Sequence, residues 1–254
     1  MLRGYFSLSP EGRKTLERYP IGGFAEYTLS PDANVAKIPD SVSFETAARL
    51  GYMGTSYAGL KKGKVGPGST VLINGVTGTL GYAAVAIALA LGAVKIIGVG
   101  RNKERLAQVK SLAPGRVEVV STEEEDNVPG WVQKVTNGQG PDAIYDCLGV
   151  GGDADTTNKL IDTVRRGGEA VLVAGGSEGN ITQSYWEAMG HNVGIRGSMW
   201  FTPGEIDELI ALIGAGAVDV SFLKHEEFSL DNVNEALKMV GDRPGGAVNV
   251  VVKP

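Results

Sequence analysis

Three glycines at a spacing of three, Gly75, Gly78 and Gly81, separate the apolar run LIN at 72–74 from the alanine-rich run YAAVAIALAL at 82–91. Between a strand and a helix, that spacing suits phosphate chemistry. Glycine permits a tight turn and lets a pyrophosphate approach the backbone, while a helix opening around Thr79 and Leu80 offers unpaired N–H groups and the positive end of its dipole. The expected occupant is a phosphate-bearing ligand. Tight packing alone is the competing account, and the strand and helix signals that continue downstream weigh against it. The turn is not a P-loop, because Tyr82 stands where Lys and then Ser or Thr would be required.

The end of the next apolar run bears on which nucleotide is bound. An acidic residue about twenty positions beyond the last glycine would hold a free ribose 2'-hydroxyl. Here IIGVG at 96–100 runs through Gly100 into Arg101 and Asn102, with no carboxylate before Glu104. Arg101 suits a 2'-phosphate, which a guanidinium meets as a charge-assisted fork. The reading is NADP(H), with NAD second. A solvated loop cation is the alternative for Arg101, and Lys103 or Arg105 shares its candidacy.

The elements that must position these residues follow from hydrophobic patterning. Strands are expected at Thr70 to Asn74, Lys95 to Val99, Val117 to Val120, Ala143 to Cys147, Glu169 to Val173 and Val193 to Met199. Helices are expected at Gly81 to Leu91, Lys103 to Lys110, about Val128 to Thr136, and Asn158 to Val164. Strands apolar on both faces that alternate with helices imply an α/β fold, a doubly wound parallel sheet covered on both sides. Before this region lie a strand candidate at Ala25 to Leu29 and a short helix at Ser43 to Leu50, capped by Ser43. After it, Thr202, Pro203 and Glu205 open a capped amphipathic helix, and Ala247 to Val252 reads as a final strand.

Composition removes several function classes. The chain has 254 residues, 43% hydrophobic and 21% charged, with a net charge of −5. That balance gives no basic footprint for nucleic acid or an anionic membrane. A single cysteine, Cys147, rules out an internal disulfide and a cysteine-cluster zinc site, which fits a reducing compartment. The longest apolar stretch, Ala83 to Leu91, is too short to span a bilayer, and MLRGYFSLSPEGRK has no signal core. A cytoplasmic protein is expected.

GGFAEYTLSPDANVAKIPDSVSFETAARLGYMGTSYAGL, followed by VGPGSTVLINGVTGTLGYAAVAIALALGAVKIIGVGRNKERL, resembles the medium-chain dehydrogenase/reductase superfamily, which includes zinc alcohol dehydrogenases and zinc-free quinone reductases. The ending FSLDNVNEALKMVGDRPGGAVNVVVKP is similar too. The resemblance implies a Rossmann domain at 55–199 and a GroES-like substrate domain formed by the chain ends, a remnant at 1–54 and a C-terminal part at 200–254. It further implies that Thr55 sits near a nicotinamide. The loops Cys147–Leu148–Gly149, Ala174–Gly175–Gly176 and Gly197–Ser198–Met199 would line the cofactor. They follow parallel strands, where open α/β sheets bind ligands.

The chain departs from the family at its metal site. Only about twenty residues precede GGFAEY, where the family carries most of its substrate domain, so the chain reads as N-terminally shortened. MLRGYFSLSP resembles the tail of the cysteine lobe, with Ser7 among the residues in place of cysteine. The remaining metal ligand would fall on or beside Gly51, which has no side chain to offer. His191 and His225, the two histidines, lack partners at zinc spacing. No zinc is expected.

Without a metal, a hydroxyl must serve the developing oxyanion. Tyr52 and Thr55, with Ser56 and Tyr57, are the hydroxyls near the implied cleft. Tyr52 is the leading donor candidate, set against a packing role for its ring. Cys147 reads as an inert small hydrophobe. Tyr57 and Lys61 match the Y-x-x-x-K pair of short-chain dehydrogenases by chance, since they precede the glycine turn instead of following it. Two functions stand. One is an NADP(H)-dependent, zinc-independent oxidoreductase acting on a small carbonyl, alcohol, quinone or activated alkene. The other is a cofactor-binding module without turnover. A homodimer paired through GIRGSM at 194–199, with apolar surface left uncovered by the shortened lobe, is expected in either case.

Overall fold

The computed structural model describes residues 9–20 and 22–254; the expectation on Ser7 lies outside them. Helix α1 (Pro10–Arg18) starts on the Ser9 side chain, which accepts from the Gly12 N–H at 2.9 Å. A short α2 (Phe44–Ala47), capped by Ser43, turns directly into α3 (Leu50–Lys62). The α/β half then runs β1 (Thr70–Asn74), α4 (Thr79–Ala90), β2 (Lys95–Gly100), α5 (Lys103–Ser111), β3 (Val117–Ser121), α6 (Val128–Val135), β4 (Ala143–Asp146), α7 (Ala154–Ile161), β5 (Glu169–Leu172), α8 (Tyr185–His191) and β6 (Gly194–Gly197). The chain ends in α9 (Pro203–Gly214), β7 (Lys224–Ser229), α10 (Val233–Gly241) and β8 (Val248–Lys253).

The first six strands form one sheet in the order β3-β2-β1-β4-β5-β6, parallel at every pairing. This is the doubly wound order, with its switch point between β1 and β4. Alternation along each strand builds two cores: Val71, Ile73 and Ile96 point to the side of α3 and α4, and Leu72, Ile97 and Ile144 to the side of α6 and α7. Burying each of these side chains contributes about 1.5–3 kcal/mol. The uniformly apolar α4 fits its site, with Gly81 through Ala88 buried.

Several expected elements differ in the structure. Ala25 to Leu29 is not a strand: Tyr27 is 90% and Leu29 75% exposed, and no neighbouring strand among the described residues supplies a ladder. The helix expected from Asn158 starts at Ala154, because the Asp153 side chain accepts from the Thr156 N–H at 2.8 Å and caps it there. The helix expected over Ser43 to Leu50 is two helices. The second, α3, runs unbroken through the domain boundary expected between residues 54 and 55. The Thr202 to Glu205 capping box is present.

The segment around α2 meets the last strand. Strands β7 and β8 pair in parallel across α10, and the buried Asn249 of β8 donates through Nδ2 to the Glu45 carbonyl at 2.7 Å. Arg49, at the start of α3, donates through Nη2 to the Val248 carbonyl. The corner that launches α3 is thereby held by the last strand.

Candidate functional site

The glycine turn lies at the carboxyl end of β1, and each glycine has its own physical task. Gly75 has φ +83°, a conformation that disfavours side chains, and a Cβ there would lie 3.0 Å from the Cys147 carbonyl oxygen across the switch point. At Gly81 a Cβ would come within 2.5 Å of the Gly75 oxygen and the Val76 Cα, so only glycine lets α4 pack this closely on the turn. Gly78 is the N-cap of α4 and offers no side chain, which leaves the first-turn amides of Thr79, Leu80 and Gly81 without a cap. The result is a cradle of bare donors at the positive end of a twelve-residue helix.

The floor beside it is a buried polar network that patterning does not expose. Asp146, at the end of β4, accepts from Asn74 Nδ2 at 2.8 Å, from Thr157 Oγ1 at 2.6 Å and from the Leu148 N–H at 3.3 Å. It locks the ends of β1 and β4 to the loop that follows. Cys147 donates Sγ–H to the Asn74 carbonyl at 3.0 Å, and burial, with the Asp146 charge beside it, pushes the thiol well above its ordinary range. Such a thiol is no nucleophile. Gly149 is open, whereas a Cβ on Gly176 would lie 2.4 Å from the Val150 nitrogen, so the loops after β4 and β5 touch. Ala174 and Gly175 lie on the same loop, half-buried and exposed respectively.

At the end of β2, a Cβ on Gly100 would meet Thr77 at 3.3 Å and Leu106 at 3.2 Å. The place where the family fingerprint carries its acid therefore faces the glycine turn and carries no side chain. Arg101 follows, exposed. Asn102 is committed elsewhere, its Oδ1 capping α5 by accepting from the Arg105 N–H at 2.9 Å.

Helix α3 reaches the cradle through Ser56. Its hydroxyl donates to the Leu80 carbonyl at 2.9 Å and accepts from the Tyr145 hydroxyl at 3.0 Å. Neighbouring Thr55 is 7% exposed and donates to the Gly51 carbonyl at 3.1 Å. Tyr52 is 54% exposed, its ring 5.9 Å from the Arg49 guanidinium. At Gly54 a Cβ would meet the Phe201 ring at 2.5 Å, which brings the loop after β6 against α3. On that loop Ser198 is buried and accepts from Lys62 Nζ at 2.9 Å, and Met199 is exposed. Tyr57 and Lys61 both bind Glu208 Oε2, at 2.8 and 2.5 Å, and burial together with that carboxylate pushes the Tyr57 hydroxyl up to about 12. The pair is a tie between α3 and α9. An open groove of about 470 Å³ lined by Lys37, Ile38, Pro39, Asp207, Ile210 and Ala211 contains none of these residues.

The described residues do not suit a catalytic zinc. Gly51 presents no ligand, Cys147 is buried against the Asn74 carbonyl, His225 on β7 faces Asn249 on β8, and His191 ends α8. Among the described residues, no three His, Cys, Asp or Glu side chains are grouped to share a metal ion. No helix among them is long and apolar enough to cross a membrane.

The model of a family described as zinc-binding dehydrogenase matches residues 79–215, just over half the chain. The quinone oxidoreductase-like protein 2 homolog of Nematostella vectensis is 30% identical over 87% of this chain and 61% of its own length. Sorbitol dehydrogenase of Bacillus subtilis is 26% identical over 99% of this chain and 69% of its own. Among solved structures, the alcohol dehydrogenase TADH from Thermus sp. ATN1 superposes with a TM-score of 0.80 at 27% identity, covering 91% of this chain and 66% of that one. The chain thus spans about three fifths to two thirds of the length of these relatives. With the parallel 3-2-1-4-5-6 sheet and its glycine turn, these matches establish that the chain belongs to the zinc-binding dehydrogenase family of the medium-chain dehydrogenase/reductase superfamily.

Proposed function

We propose that this protein is an NADP(H)-dependent, zinc-independent oxidoreductase of small carbonyls, alcohols, quinones or activated alkenes. The single observation that carries the reading is the Gly75–Gly81 junction, where a glycine N-cap leaves α4 amides bare and Gly100 leaves the ribose position without an acid. Gly75, Gly78, Thr79, Leu80 and Gly81 would hold the diphosphate, with Arg101 at the 2'-phosphate. The loops at 147–149, 174–176 and 198–199 would flank the rest. When bound, the nicotinamide supplies or accepts the hydride. The chain's own part is to position that ring and to donate a hydrogen bond to the substrate oxygen, with Tyr52 and Thr55 as the hydroxyls offered. The residues argue against zinc as the polarising group, because Gly51 stands at the expected ligand.

A second reading, a cofactor-binding module without turnover, is favoured by the exposure of Tyr52 and by the engagement of the Thr55 hydroxyl with Gly51. Quenching of NADPH fluorescence on titration, followed by assays with aldehydes, quinones and enones, tests both. Binding with turnover supports the enzyme and binding without turnover the module; absence of NADPH and NADH binding overturns both. Strand β6 is one of the sheet's two outer strands, with Ile195, Arg196 and Gly197 exposed, and we take it as the seam of a homodimer in the cytoplasm. A monomer by light scattering at micromolar concentration overturns the dimer.

A further inference from the structure

The segment between α10 and β8 crosses back over the nucleotide half. The Gly246 N–H donates to the Thr77 carbonyl at 3.0 Å, and a Cβ on Gly246 would lie 2.3 Å from the Gly78 oxygen, so the strap rests directly on the glycine turn. Beside it, a Cβ on Gly245 would lie 3.5 Å from Arg105 Nε. Arg105 Nη2 in turn donates to the Arg243 carbonyl at 3.1 Å, and Arg243 Nη1 donates to the Val150 carbonyl at 3.1 Å. Arg243 thus bridges the loop after β4 and the first turn of α5.

By this route the Arg105 guanidinium touches the Arg243 backbone and the Arg243 guanidinium reaches the loop after β4, while Arg101 is exposed where β2 ends. None forms an ion pair among the described residues, and the partners of Arg105 and Arg243 are backbone carbonyls. In a chain of net charge −5 these guanidiniums are left to meet a ligand anion. Arg243 also holds φ +52°, a left-handed conformation that glycine adopts at less cost.

We propose that Arg243 is a specificity-determining residue for the adenosine end of the cofactor, completing with Arg101 and Arg105 a cradle for the 2'-phosphate of NADP(H). A phosphomonoester dianion presents three acceptor oxygens, more than one guanidinium fork satisfies. Its position on the strap makes the C-terminal segment, and not only the β2–α5 turn, a reader of the phosphate. The inference rests on the NADP(H) reading above.

Isothermal titration with 2',5'-ADP and 5'-AMP separates the two. Arg243→Gly keeps the left-handed turn and removes the guanidinium, and Arg243→Lys restores a positive charge. Arg243→Gly is expected to weaken 2',5'-ADP about tenfold or more while 5'-AMP stays within about twofold, with partial recovery in Arg243→Lys. If wild-type prefers 2',5'-ADP and both variants keep that preference unchanged, the role of Arg243 is overturned while the cofactor reading stands. If wild-type binds both nucleotides equally, the NADP(H) reading fails and this inference fails with it.

Discussion

Asn74 and Asp146, neighbours across the central strands β1 and β4, are joined by a 2.8 Å hydrogen bond from Nδ2 to Oδ2 in a place where both are buried. The bond ties together the ends of two paired strands beside the glycine turn. Removing the acceptor leaves Asn74 Nδ2 and the Thr157 hydroxyl without their partner. Asp146→Ala is therefore expected to cost about 3 kcal/mol of stability, read as a lower urea midpoint at unchanged slope. An unchanged midpoint would refute the role.

The glycines of the turn are separable by experiment. Gly81→Ala forces a methyl to within 2.5 Å of backbone atoms that cannot yield cheaply, and should destabilise the fold by several kcal/mol. Gly78→Ala, whose Cβ would meet only the Gly75 oxygen at 3.4 Å, should fold with a melting temperature within a few degrees of wild type. Its dinucleotide affinity should fall by about tenfold or more, since the methyl projects beside the bare amides. A Gly78→Ala protein that binds NADPH like wild type would count against the cradle.

Arg101→Ala should cut the ratio of NADPH to NADH affinity by about tenfold or more, the value of one charge-assisted contact. An unchanged ratio in fluorescence titrations would remove Arg101 from the site.

Glu169, at the start of β5, binds Arg196 at 2.9 Å and Lys64 at 2.7 Å, and these partners hold its carboxyl below the ordinary 4.5. A depressed folded value means that the unfolded chain takes up the proton first as pH falls. The contribution is therefore complete well above 4.5 and fades below it. Because both cations are more than half exposed, the contribution is modest, about 1 kcal/mol. Glu169→Gln should be less stable than wild type at pH 7, and the difference should close as pH drops through 4. A difference constant from pH 7 to 3 would contradict this.

Elemental analysis of the purified protein should find well under one zinc per chain, and a chelator should leave its melting temperature unchanged. A stoichiometric zinc that chelation removes with a loss of stability would overturn the argument from Gly51.

The sequence disclosed the sheet and the glycine turn because both rest on local rules. Unbroken apolar runs such as Val71 to Ile73 announce a strand covered on both faces, and the spacing of Gly75, Gly78 and Gly81 is visible within seven residues. Most of α3 stayed hidden. It carries Gly51, Gly54 and Gly59, poor helix formers, and it is buried from Met53 to Leu60, so it shows no apolar stripe. Strand β7, KHEEFS, is mostly exposed and lacks the alternation that marks a half-buried strand. Ala25 to Leu29 differs for the opposite reason, since its pattern suits a strand and no partner strand lies beside it among the described residues. Arg243 and Gly246 escaped notice because their contacts to Val150 and Thr77 lie far off along the chain, and spacing carries no record of such meetings.

Strand β8, which occupies residues 248–253 of 254, holds the corner that starts α3, and the strap just before it caps the glycine turn. Both pieces lie far along the chain from the turn that they cover, so deleting residues 244–253 would leave the six-stranded sheet complete and its glycine turn uncovered.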